Sequence, residues 1–152
     1  MRLIFIISFF FMIAAQAKTP VQPKPALLKY NPAKIFEFVL MAKNQKINAT
    51  ILFPKIFFKS KTPLKQFQDA VEPQWHLRPT EFTNVYIVAN NEIYIMDDAD
   101  YYIKTGRCMD DSLAHELTHY VQDKYQHFDL NDESLEWDAV DVQTQFREAF
   151  CK

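Results

Sequence analysis

Two histidines four residues apart, with a glutamate directly after the first, occur in His115-Glu116-Leu117-Thr118-His119. On an α-helix, residues four apart lie about 40° from each other around the axis, so both imidazoles leave one face and can hold a single metal ion. Glu116 is turned away from that shared position. It can still reach a water held by the metal and serve as its general base. No other stretch of the chain specifies chemistry by spacing alone. The plain alternative is a buried helix with two hydrogen-bonded histidines. The context favours the metal. Asp110, Asp111 and Ser112 stand just ahead as helix-capping residues. Leu113, Leu117 and Val121 form an apolar stripe centred roughly 180° from the histidines, so one face can pack on a core while the other meets a metal.

Two histidines do not complete a catalytic zinc site, which takes three protein ligands and a water. Downstream candidates are His127, Asp129, Asp132, Glu133, Glu136, Asp138 and Asp141. A last helix should run from near Asp132 to about Phe150. Its apolar stripe of Leu135, Ala139, Val142, Phe146, Ala149 and Phe150 must face the core, and hence the histidine helix. Glu136 lies at the border of that stripe. Asp132 is near it but on the fraying first turn, and Glu133 lies on the solvated side. The order of preference is Glu136, then Asp132, then Glu133. Zinc follows from the ligand types, although other divalent metals also bind such donors.

The helices must belong to something exported. Met1-Arg2, an apolar run from Leu3 to Ala15 and the small-residue site Ala15-Gln16-Ala17 read as a signal peptide over residues 1–17. The apolar run is too short to span a bilayer comfortably, so no membrane span is expected once it is cleaved. Cys108 and Cys151, an even pair in such a chain, are expected to form a disulfide between the entry of the histidine helix and the C-terminus. Neither stands in a C-x-x-C arrangement that would suggest a zinc ligand. The formal charge is −2, with no basic patch, which argues against nucleic acid as a partner. Gly106 is the single glycine, which excludes phosphate-binding Gly-rich loops.

Residues 18–30, rich in Pro and Lys, read as a flexible leader. A single domain over 31–152 should follow. Asn31-Pro32 starts a helix over 32–43, with Ile35, Phe36, Val39 and Leu40 on one face. Residues 49–58 suggest a strand interrupted by Pro54. Thr62-Pro63 opens a short helix through Phe67 to Val71. Residues 72–84 look irregular, with His76 on the surface. Val85 to Val88 and Glu92 to Met96 flank Asn90-Asn91 as a hairpin. Asp97, Asp98 and Asp100 lack the pattern of a calcium loop and read as solvated. The histidine helix should run to about Gln126. The fold class is α+β: a small, mostly antiparallel sheet packed on the histidine helix and the glutamate helix after it.

These residues resemble the gluzincin zinc metallopeptidases, which carry H-E-x-x-H on one helix and a glutamate ligand on the next. Many members read E-x-E-A-D or E-x-x-A-D there. Glu136-Trp137-Asp138-Ala139-Val140 matches at Glu136 and Ala139 and departs at Val140, where an aspartate would orient a zinc-bound histidine. The chain is similar to minigluzincins and, more closely, to small exported bacterial proteins with H-E-L-T-H-Y-x-Q. Here that motif is His115 to Gln122, with Cys108 before it and Gln143 after the glutamate also fitting. The likeness covers roughly residues 85–151. It implies metal-assisted hydrolysis of a peptide or protein substrate, with His115, His119 and Glu136 on zinc and Glu116 as base. It also implies a substrate bound by β-addition to an upstream edge strand, for which Glu92 to Met96 is the candidate. Tyr120, Tyr101 and Tyr102 are candidates for stabilising the transition state. The competing readings are a zinc-binding envelope or scaffold protein without peptidase activity, and a metal-free, disulfide-tied envelope protein.

Overall fold

Residues 24–152 are described by a computed structural model. The expected signal peptide, and the leader up to residue 23, lie outside them. Asn31 caps the first helix, α1 (Pro32–Ala42), by accepting the Ala33 N–H, and Pro32 costs nothing at a position whose N–H has no helical partner. Then come β1 (Lys55–Phe58), α2 (Leu64–Trp75), β2 (Val85–Ile87), β3 (Glu92–Ile95), α3 (Ala99–Thr105), α4 (Met109–Lys124) and α5 (Ser134–Phe150). The class is α+β, as expected.

The sheet is mixed rather than mostly antiparallel. Its order is β1-β3-β2, with β3 antiparallel to β2 and parallel to β1. The hairpin logic holds for β2 and β3, joined by a tight turn in which Asn91 takes a positive φ of 51°. It does not extend to β1. The long connection from β1, which carries α2, gives the chain room to cross over and run parallel. Pro54 lies outside the ladder, so the expected strand over 49–58 shrinks to its last four residues.

Alternation along the strands sends side chains to two cores. Tyr86, Ile93 and Ile95 join Leu113, Leu117 and Val121 of α4, together with Ile35, Phe36, Val39 and Leu40 of α1 and Val142 and Phe146 of α5. On the other sheet face, Val85, Ile87 and Tyr94 pack with Phe67 and Val71 of α2 and with Phe82. Each such fully buried side chain contributes about 1.5–3 kcal/mol. The sheet is thus held between α2 and α4, and α4 is fixed on three sides.

Three expectations change. α2 runs through Pro73 to Trp75, beyond the expected end at Val71. Pro73 lies in the final turn, where only one backbone bond is lost, and His76 then stops the helix in the left-handed region at φ 55°. The acidic run is not a solvated loop. Asp97 is buried and accepts from the backbone N and the hydroxyl of Ser60, while Asp98 caps α3, a helix not foreseen. The leader is fixed from Lys24 onward. Ala26 N donates to Asp97 O at 2.7 Å, and the carboxylate of Asp110 accepts from Lys29 N at 3.0 Å and Tyr30 N at 2.8 Å. Asp110 is 2 % exposed, so its loss leaves both N–H groups short of a partner. Asp110→Ala is expected to cost about 2 kcal/mol, read as a lower urea midpoint at unchanged slope.

Candidate metal centre

α4 starts in a reciprocal cap. Cys108 Sγ accepts from Asp111 N at 3.3 Å, and Asp111 Oδ2 accepts from Cys108 N at 3.1 Å. Cys108 is also disulfide-bonded to Cys151 at the end of α5, with the Cα atoms 5.9 Å apart. The expected bridge therefore ties the two site helices together at one end. Further along, the facing surfaces bring His115 and His119 of α4 against Glu136 of α5.

Nε2 of His115 and Nε2 of His119 are 3.1 Å apart, and each is 3.2 Å from a carboxylate oxygen of Glu136. Zinc–ligand bonds of about 2.0–2.1 Å at a tetrahedral angle put neighbouring donor atoms about 3.3 Å apart, so this spacing is that of ligands around one ion. The donor chemistry fits as well. Burial, then the neighbouring His119, pull the His115 pKa down to about 4, leaving a neutral imidazole with a free lone pair. Burial also disfavours charge on His119, but the Glu136 hydrogen bond, Glu116 and Gln122 together outweigh it and raise its pKa. When His119 is protonated, its Nε2–H bonds Glu136 and holds that carboxyl below its ordinary pKa despite partial burial. Of the three candidate third ligands, Glu136 is the one set against both rings. Asp132 instead accepts from Ser134 N at 2.9 Å at the start of α5, and Glu133 is exposed.

Glu116 is on the sheet side of α4 and is 5 % exposed. Burial raises its pKa to about 7, with Glu136 adding to the rise while His119 and the Tyr86 N–H oppose it. A carboxyl poised near neutrality can both take and return a proton.

Two glutamines stand behind the histidines. Gln122 Oε1 is 2.9 Å from Nδ1 of His119, and Gln122 Nε2 donates to Leu135 O at 3.0 Å and to Asp138 Oδ2 at 2.7 Å. Asp138 in turn pairs with Lys43, the residue that caps the end of α1. Gln143 lies beside His115 and donates to Asp111 Oδ1 at 2.8 Å. The sequence singled out both, Gln122 closing the H-E-L-T-H-Y-x-Q motif and Gln143 after the glutamate, without giving either a role. The available signal was spacing, because Gln122 follows His119 by three residues on the same helix face.

Two implied features do not survive. β3 is the central strand, hydrogen-bonded on both sides, so Glu92 to Met96 cannot receive an added strand. The edge next to the site is β2. Its outward groups already have partners: Tyr86 N–H lies at Glu116, while Tyr86 O and Val88 N bond the side chain of Gln74 at 3.0 Å each. Two of the three candidate tyrosines have hydroxyls committed elsewhere. Tyr120 is fully buried and donates to Leu52 O at 3.0 Å, Tyr102 donates to Met96 O, and Tyr101 packs edge-on against Tyr102.

Among the described residues no helix is long and apolar enough to cross a membrane. Comparison with protein-family models, curated proteins and solved structures gave no match.

Proposed function

We propose that this protein is an exported, gluzincin-like zinc metallopeptidase that hydrolyses peptide bonds. The observation that carries this reading is the convergence of two imidazole nitrogens and one carboxylate at metal-ligand spacing, with a buried glutamate beside them. His115, His119 and Glu136 are the residues that would hold zinc. When bound, zinc supplies a Lewis acid that polarises the peptide carbonyl and makes water acidic enough to attack it. Glu116 accepts the proton from the attacking water and delivers it to the leaving amine as the C–N bond breaks. Burial of Glu116 keeps bulk water from competing for that proton.

A second reading, zinc binding without peptidase activity, draws on the β2 edge. An extended substrate has no free backbone groups to pair with there while Gln74 is in place. The metal content of the purified protein tests the shared core of both readings. About one zinc per chain is expected, lost in Glu136→Ala and kept in Asp132→Ala and Glu133→Ala. Loss in one of the latter two would move the third ligand. A wild-type protein that takes up no zinc would sink both readings.

A further inference from the structure

A metal-binding histidine must present one ring nitrogen bare, and the hydrogen bond at the other nitrogen decides which one that is. The chain has Val140 where an aspartate would be expected to make that bond, and yet the structure does not leave the histidines to chance.

The orientation of the Gln122 amide is dictated by its surroundings. Its Nε2 end faces two groups that can only accept, the Leu135 carbonyl and the Asp138 carboxylate. A flipped amide would set its oxygen against both. Oε1 therefore faces His119, and Nδ1 of His119 must carry the hydrogen. That leaves Nε2 as a bare lone pair, directed at Nε2 of His115 and at Glu136. Asp138 is held in turn by Lys43, so the arrangement is anchored at the end of α1.

Gln143 repeats the logic for the other ring. Its Nε2 donates to Asp111, a fully buried carboxylate, which turns its oxygen the other way. Nδ1 of His115 is buried and has no hydrogen-bond partner in the structure, and Gln143 is the polar side chain beside it. The Gln143 oxygen is the acceptor available to it.

We propose that Gln122 and Gln143 are positioning residues. Each amide, held the right way round by a carboxylate behind it, fixes one histidine as the Nδ1–H tautomer and leaves Nε2 for the metal. Two such carboxylate–amide–histidine relays do the work of the missing aspartate. They differ from it chemically, because an amide oxygen accepts a hydrogen bond but cannot take the proton. The inference rests on the metal-centre reading, but not on peptidase activity.

Imidazole nitrogen NMR of the metal-free protein at about pH 8.5, where histidine is neutral, tests it without metal or substrate. Both His115 and His119 are expected to carry the proton on Nδ1. In Gln122→Leu, His119 should shift toward the Nε2–H form that free histidine prefers, His115 should be unchanged, and the zinc dissociation constant should rise about 10–100-fold. Gln122→Met keeps the length and bulk of the side chain and lacks only the hydrogen-bonding amide. It should shift His119 in the same way, which a mere packing defect would not do. A wild-type His119 protonated on Nε2 would overturn the proposal. So would zinc binding by Gln122→Leu as tight as wild type. Should Gln122→Leu fail to fold, Gln143→Leu asks the same of His115, and the wild-type tautomers still decide.

Discussion

Glu116→Gln is expected to abolish peptide cleavage and, in the metal-free protein, to raise stability above neutral pH. The two effects share a cause. The Glu116 carboxyl is buried under β2, and its pKa is raised to about 7 from an ordinary value near 4.5. The folded state therefore holds this proton more tightly than the unfolded chain does. Between those two values folding is coupled to proton uptake, so stability from this group falls as pH rises through the window and stays low above it. At about 1.4 kcal/mol per pKa unit, the cost of the ionised group at pH 8 is roughly 3–4 kcal/mol. Glutamine has the same shape and no charge to bury, so it avoids that cost. Unfolding curves of the two metal-free proteins should nearly coincide around pH 4 and separate progressively from about pH 4.5 to pH 7, with the variant the more stable. On the peptidase reading, loss of the base costs about 10²–10⁴ in rate while zinc stays bound. Stability profiles that run parallel across the range would contradict the burial argument. Undiminished cleavage by the variant would remove Glu116 from the base role.

Opening the Cys108–Cys151 bridge is expected to have the largest effect on stability. The bridge joins residues 43 apart, and closing a loop of that length removes about 4 kcal/mol of chain entropy from the unfolded state. Domains of this size have about 5–15 kcal/mol in all, so the loss is a large share. The choice of substitution matters. Cys108 Sγ is also the capping atom of α4, so Cys108→Ala would mix two losses. Serine keeps an acceptor at the cap, so Cys108→Ser with Cys151→Ser reports on the bridge alone. Its guanidinium midpoint should fall in proportion to the 4 kcal/mol. Zinc affinity should fall too, because His115, His119 and Glu136 all lie between the two cysteines and lose the tie that holds α4 against α5. A change below about 1 kcal/mol would mean that the α4–α5 packing holds the helices without help.

Helices α1, α4 and α5, and the meeting of His115, His119 and Glu136, were legible because each depends on residue spacing within one element. The four-residue interval between His115 and His119 placed both rings on one face, and the apolar stripe of α5 singled out Glu136 over Asp132 and Glu133. What the chain did not reveal depends on partners far apart in sequence. The parallel pairing of β1 with β3 is set by a crossover, and nothing within Lys55 to Phe58 records it. Asp97 looked like one of several solvated acids, because its partner Ser60 lies 37 residues earlier. Gln122 looked like an ordinary polar residue until Leu135, Asp138 and Lys43 closed around it. Pro73 shows a different limit: proline is a poor helix residue in general, yet α2 carries it through the loss of one N–H bond and stops three residues later at His76.

The side chain of Gln74 bears on how this molecule behaves among copies of itself. A strand at the margin of a sheet ordinarily offers a row of unused N–H and C=O groups, and a neighbouring chain in the same shape can fasten onto them. β2 is three residues long, and its outward groups are already engaged by one amide and one carboxylate drawn from the helices on either side. A second molecule's strand finds nothing there to grip, and at that margin the sheet cannot grow from one chain into the next, even when the protein is crowded.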